Sequence, residues 1–94
     1  MHVVVVRMGL DPTRAAEVDT HFVGDVVPWA RAQPGFVGGR WLRSTDSLTG
    51  LGVVVFDAAE AAQAAAAGPR AMVYPPENAW SIADVTVFEQ IVEA

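Results

Sequence analysis

Residues 34–65 read PGFVGGRWLRSTDSLTGLGVVVFDAAEAAQAA. Pro34-Gly35 is a turn signal, and FVGGRWLRS (36–44) after it reads as a strand. The paired glycines Gly38 and Gly39 inside that strand suggest a bulge or a close backbone approach. TDSLTG (45–50) reads as a hairpin loop. LGVVVF (51–56) is a second strand, and its apolar residues do not alternate with polar ones, so both of its faces should be buried. DAAEAAQAAAAGP (57–69) then predicts a helix: Asp57 is placed to cap it, Glu60 follows three residues on, and Gly68-Pro69 should end it. This helix is almost all alanine, which favours helix but supplies little volume. It must lie very close to a sheet or beside a space.

Upstream, HVVVVRM (2–8) is a β-branched run that reads as a strand, again apolar on both faces. LDPTRAAEVDTHFVGDVVPWARAQ (10–33) predicts a helix. Asp11 is an N-cap, Pro12 occupies N1, and Ala15, Val18, Phe22, Val26 and Trp29 form one apolar stripe. Pro28 removes a bond to the carbonyl of residue 24, which predicts a kink near 24–28. Downstream, RAMVYPPENAWSIA (70–83) reads as irregular and DVTVFEQIVEA (84–94) as the last strand.

The order β-α-β-β-α-β is the ferredoxin-like arrangement, an α+β fold with a four-stranded antiparallel sheet and two helices on one face. It spans 1–94 as one domain. Two helices leave the other sheet face bare. That face would expose more apolar surface than the roughly 300–600 Å² typical of a monomer. A second copy packed on it about a two-fold axis is the simplest remedy, so a sheet-to-sheet homodimer is expected.

Composition removes several classes of function. The 94 residues include no cysteine and two histidines, which excludes disulfides, thiol nucleophiles and zinc-thiolate sites. All six basic residues are arginine and the net charge is −5, so there is no footprint for nucleic acid or for anionic membranes. The absence of lysine excludes Schiff-base chemistry. The apolar start is too short to span a bilayer and lacks the features of a signal peptide, which leads to an expectation of a soluble, cytoplasmic protein.

The run 34–65 resembles the antibiotic-biosynthesis-monooxygenase-like (ABM) branch of the dimeric α+β barrel superfamily, with Pro34, Gly35, Phe36, Asp57, Glu60 and Ala61 matching its pattern. The resemblance implies a ligand pocket between sheet and helices, a dimer and no cofactor. Activities in the superfamily include cofactor-free oxygenation of quinols and polyketide aromatics, and haem degradation. Haem-degrading relatives carry a histidine late in the second helical region and an asparagine on the first strand. This chain has neither, so the resemblance disfavours haem degradation. The expected function is binding of a small apolar or aromatic molecule, with cofactor-free monooxygenation of a quinol-like substrate as the first activity to test. A non-catalytic dimeric module is the alternative, and an isomerase or lyase of a quinone-like intermediate a third.

Candidate site residues follow from type and place. Glu17, His21 and Asp25 recur every four residues on one helix face. They read either as a proton-transfer group or as a solvated polar stripe. Trp29, Tyr74, Trp80 and Asn78 either wall a space left by the alanines or fill it. Arg40, Trp41 and Arg43 lie on one strand, where Arg40 and Trp41 must point to opposite faces. At most one of those two should face the pocket. A buried Arg40 or Arg43 needs an acceptor, either Glu89 or an anionic ligand; Arg7 carries the same ambiguity. His21, Arg40 and Arg43 are thus the catalytic candidates. Trp29, Trp41, Tyr74, Asn78 and Trp80 are the ligand-binding candidates, with no metal.

Overall fold

The computed structural model describes residues 1–94. Strand β1 (His2–Leu10) leads through a short 3-10 turn (Pro12–Arg14) into α1 (Ala15–His21), a π-helical turn (Phe22–Val26) and α2 (Val27–Arg31). Then come β2 (Phe36–Arg43), β3 (Thr49–Phe56), α3 (Ala59–Ala71) and β4 (Trp80–Glu89). The sheet order is β2-β3-β1-β4 and every neighbouring pair is antiparallel. This is the ferredoxin-like topology expected from the element order.

One sheet face is covered by the helical elements. Val4, Val54 and Phe56 pack with Ala30, Ala62, Ala65 and Ala66, and the last three alanines bring α3 close to the strands. Met8, Leu10 and Trp80 pack with Val18, Phe22 and Ala79 to form a second cluster under α1. The apolar run of β3 alternates in burial all the same: Gly50, Gly52, Val54 and Phe56 are buried, and the residues between them are half-buried. The half-buried side belongs to the bare face, where Val3, Val5, Leu51, Val53 and Val55 lie in register with Leu42 and Phe88. Leu42 and Phe88 are about half exposed, at 49% and 51%.

Several boundaries differ from expectation. The kink at Pro28 is a π turn rather than a break: the Val27 N–H reaches back five residues to the Phe22 carbonyl. The widened turn accommodates a ring that would crowd the carbonyl of Gly24 in a regular helix. A Cβ on Gly24 would meet nothing within 4 Å. Gly24→Ala should therefore raise stability by about 0.5–1 kcal/mol, through the helix preference of alanine, as measured by urea unfolding.

The bulge in β2 falls on Val37, one residue before the paired glycines, because Phe36 pairs with Phe56 and Gly38 with Val55. Helix α3 begins one residue later than the capping pattern suggests. Ala58 is its N-cap and makes no side-chain bond. Asp57 instead donates its backbone N–H to the Gly35 carbonyl at 2.9 Å. The helix also runs through Pro69 to Ala71, since Pro69 forfeits one bond in the last turn and the residues after it suit a helix. Strand β4 begins at Trp80 and ends at Glu89, earlier at both ends than the apolar pattern implied. Trp80 pairs with Leu10, and Ala83 is the extra residue of a bulge opposite Arg7 and Met8. Burying that indole outweighs the irregular sequence before it.

Candidate functional site

The alanine-rich helix leaves a space beside it. A cavity of about 410 Å³ lies between the sheet and the helical elements. Its floor comes from Val6, Met8, Val54 and Ile82, and its walls from Trp29, Trp41, Trp80, Val26 and the Gly68–Pro69–Met72 end of α3. His21 and Asp25 line it as well. Both residues also border a shallow groove on the outer side of α1, which places them at the mouth.

Each tryptophan is seated by a different device. Trp41 lies on the helix side of β2 and covers two glycines. A Cβ on Gly39 would come within 3.0 Å of its Cη2, and one on Gly52 within 3.1 Å of its Nε1. The six-membered ring thus rests on one strand and the pyrrole ring on the next, with glycine required under both. Trp29 follows the π turn and reaches across to α3, where a Cβ on Gly68 would stand 3.3 Å from its Cζ2. Trp80, only 7% exposed, is wedged between rings. Its centroid lies 4.9 Å from that of His21, 4.7 Å from Tyr74 and 5.7 Å from Phe22.

His21 Nδ1 stands 2.9 Å from Asp25 Oδ2. A carboxylate oxygen so near a bare imidazole nitrogen would face its lone pair, so Nδ1 carries the proton in the neutral ring. Glu17, which shares the spacing, pairs with Arg14 instead. Only the His21–Asp25 half of the predicted polar stripe therefore reaches the cavity.

Other candidates lie elsewhere. Trp41 faces the cavity, and its neighbour Arg40, paired with Val53, points to the bare face, as the alternation requires. Arg40 is thus remote from the cavity. Arg43 shares the helix side with Trp41 but is engaged by Asp19 and by the Ala15 carbonyl at 3.4 Å. Its acceptor is Asp19 rather than Glu89. Arg7 pairs with Asp84 at 2.6 Å on the bare face. Asn78 does not line the cavity; its Nδ2 donates to the Trp80 carbonyl at 2.6 Å and fixes the start of β4. Tyr74 supports Trp80 from behind, and its hydroxyl donates to Met72 Sδ at 3.0 Å. Sequence reasoning missed Gly52, Gly68, Pro69 and Met72. The available signal was a glycine facing a large indole, but it needs the register to be seen.

Burial pushes the Tyr74 hydroxyl up to about 12. The chain has one tyrosine, so tyrosinate absorbance reads this group alone. The folded midpoint should lie near 12 and fall to about 10 in denaturant. The sign is fixed: the folded pKa is the higher one, so the contribution is complete below pH ~10 and lost as pH rises toward the folded value.

No family model and no curated protein matches the chain. Solved structures do. MhuD from Mycobacterium tuberculosis, a haem-degrader with two haems bound in its active site, superposes with a TM-score of 0.75 at 20% identity, covering 100% of this chain and 99% of that one. HapK from Hahella chejuensis gives 0.70 at 13% identity over 100% and 96%. A monooxygenase from the ActVA-Orf6 gene of Streptomyces coelicolor, in complex with nanaomycin D, gives 0.63 at 19% identity over 99% and 92%. The chain thus shares its fold with these proteins, in agreement with the ferredoxin-like arrangement expected from the element order. These neighbours include a monooxygenase and haem-degraders. No helix is long and apolar enough to cross a membrane.

Proposed function

We propose that the chain binds a flat, largely apolar small molecule in the cavity between sheet and helices, with cofactor-free monooxygenation of an aromatic or quinol-like substrate as the activity. One observation carries this: three tryptophans wall a cavity of about 410 Å³ whose only ionisable lining groups are His21 and Asp25. Concave, apolar sites with few polar groups are the usual form of small-molecule pockets. A flat ring system can stack on the exposed face of Trp41 while Trp29 and Trp80 bound its edges. The test is oxygen uptake with anthrones and reduced anthraquinones, beside tryptophan quenching and thermal shift with the same compounds. Uptake with saturable quenching is expected. Quenching without uptake would leave a ligand-binding module, and neither signal would end the proposal.

A second reading is favoured by His21. The haem-degrading pattern predicts a histidine on α3, and there is none, yet a histidine from α1 lines the same cavity. Its imidazole is the side chain that would hold the iron of a haem bound as substrate. A stoichiometric Soret shift on haem titration, lost in His21→Ala, would establish haem binding; no saturable shift would remove it.

We also propose that the protein is a homodimer through the bare sheet face. A contiguous apolar strip there, edged by Leu42 and Phe88, supports this. Light scattering should give twice the 10.0 kDa chain mass at micromolar concentration. Val53→Asp, with a charge at the centre of the strip, should shift the mass to that of the monomer. A monomeric parent protein would refute the dimer.

A further inference from the structure

We infer that the cavity discriminates by charge and takes a flat aromatic cation in preference to an aromatic anion of the same shape. This rests on the proposed binding of flat ligands and specifies their class. Three features converge. First, none of the six arginines lines the cavity. Arg7, Arg14 and Arg43 are held by Asp84, Glu17 and Asp19, Arg70 donates to the Val85 carbonyl at 3.3 Å, Arg40 is on the far side of the sheet, and Arg31, at the end of α2, is not among the lining residues. An anionic group on a ligand would therefore meet no guanidinium inside, and the one basic side chain on the wall, His21, is already paired with Asp25.

Second, the one formally charged group on the wall is the Asp25 carboxylate at the mouth, in a chain of net charge −5. Its pairing with His21 is a contact to an imidazole rather than to a guanidinium, so the negative charge is not neutralised by a permanent cation. Third, Trp41 lies flat on Gly39 and Gly52, which leaves its other indole face turned from the strands toward the space. An indole face is the negative pole of the ring quadrupole, and tryptophan attracts cations most strongly among the aromatics. Trp29 adds a second indole to the wall, from the same helical arm as Asp25. Apolar walls strengthen the indole attraction by excluding water, while Asp25, 72% exposed at the mouth, acts as a solvent-screened charge.

The experiment uses three tricyclic probes of matched size: aminoacridine, a cation at neutral pH; anthracenemethanol, which is neutral; and anthracenecarboxylate, an anion. Affinities are read by calorimetric titration at low salt on the whole chain. Aminoacridine should bind about tenfold more tightly than anthracenecarboxylate, with anthracenemethanol between them. Asp25→Asn should reduce the gap between cation and anion to about threefold, each affinity being referred to that of anthracenemethanol in the same variant. In the parent protein, raised salt should shrink the gap without affecting the neutral probe. Equal or tighter binding of the anion would overturn the inference while leaving the cavity reading intact, because anthracenemethanol would still bind. Binding by none of the three would overturn both.

Discussion

Gly35→Ala should destabilise the fold by roughly 2–5 kcal/mol, the largest effect expected of any single methyl group added to this chain. Gly35 has φ +79°, a backbone region that costs an L-residue about 1–2 kcal/mol. The space is closed as well. A Cβ there would stand 2.6 Å from Asp57 Oδ1 and 2.7 Å from the Ala61 Cβ. Neither neighbour retreats easily. Asp57 is tied through its N–H to the Gly35 carbonyl, and Ala61 is on the turn of α3 whose Ala62 is fully buried. Forcing an extra carbon into such a contact costs about 1–3 kcal/mol beyond the backbone term. A domain of this size holds roughly 5–14 kcal/mol in total, so the variant should melt at least about 10 °C lower, or fail to accumulate. Differential scanning calorimetry beside Gly24→Ala gives a built-in contrast, because the same chemical change should have the opposite sign there. A Gly35→Ala protein within 1 °C of the parent would show that the turn relaxes and that the close approach to α3 is not needed.

That turn also explains why residues 34–65 made the fold legible. Pro34, Gly35 and Phe36 record a left-handed turn pressed against the first turn of the next helix, and this is a demand of packing rather than chemistry. The strands, the helices and their order were readable for similar reasons, since β-branched runs, turn residues and an apolar stripe each act locally. The opposition of Arg40 and Trp41 followed from alternation alone, and it survived a bulge because both residues lie beyond Val37. The less legible features depend on contacts between segments distant in sequence. Arg43 finds Asp19 on α1 rather than Glu89 on β4, which depends on how the helical arm crosses the sheet. Trp80 draws the start of β4 forward because Leu10 and His21 are waiting for it. Pro28 is absorbed by a π turn, a choice made by the packing of Phe22 and Ala30 on either side of it.

The candidate site divides in the same way. Residue types suggested tryptophans beside an alanine helix, and Trp29, Trp41 and Trp80 do converge on one cavity. Tyr74 and Asn78 were grouped with them by proximity in sequence, but they hold Trp80 rather than line the space. The glycines that shape the cavity could not be assigned from sequence. Gly39, Gly52 and Gly68 look like a bulge, a strand interior and a helix stop, and each turns out to lie against an indole.

Gly52→Val should therefore abolish ligand binding more completely than removal of the Trp41 indole itself. A Cβ at 52 would lie 3.1 Å from Trp41 Nε1 and 3.3 Å from Cδ1, and valine adds two methyl groups beyond it. Val6, whose Cβ would be 3.8 Å away, closes the other side, so the new side chain bears on the indole. Valine is a favourable strand residue, which offsets part of the strain and should keep the protein folded. The displaced indole has lost its seat and must swing across the cavity or out of it. In either position the stacking surface is gone, and affinity for aminoacridine or anthracenemethanol should fall at least about thirtyfold, equivalent to ~2 kcal/mol. Trp41→Leu removes the same surface without obstructing the space and should cost only about tenfold. The two changes should not add: with leucine already in place of Trp41, Gly52→Val has no indole to displace and should cost less than about threefold more. Calorimetric titration of the four proteins closes the cycle. Equal damage from Gly52→Val in both backgrounds would mean that the glycine serves the strand pairing alone, and that Trp41 does not owe its place in the cavity to the glycine beneath it.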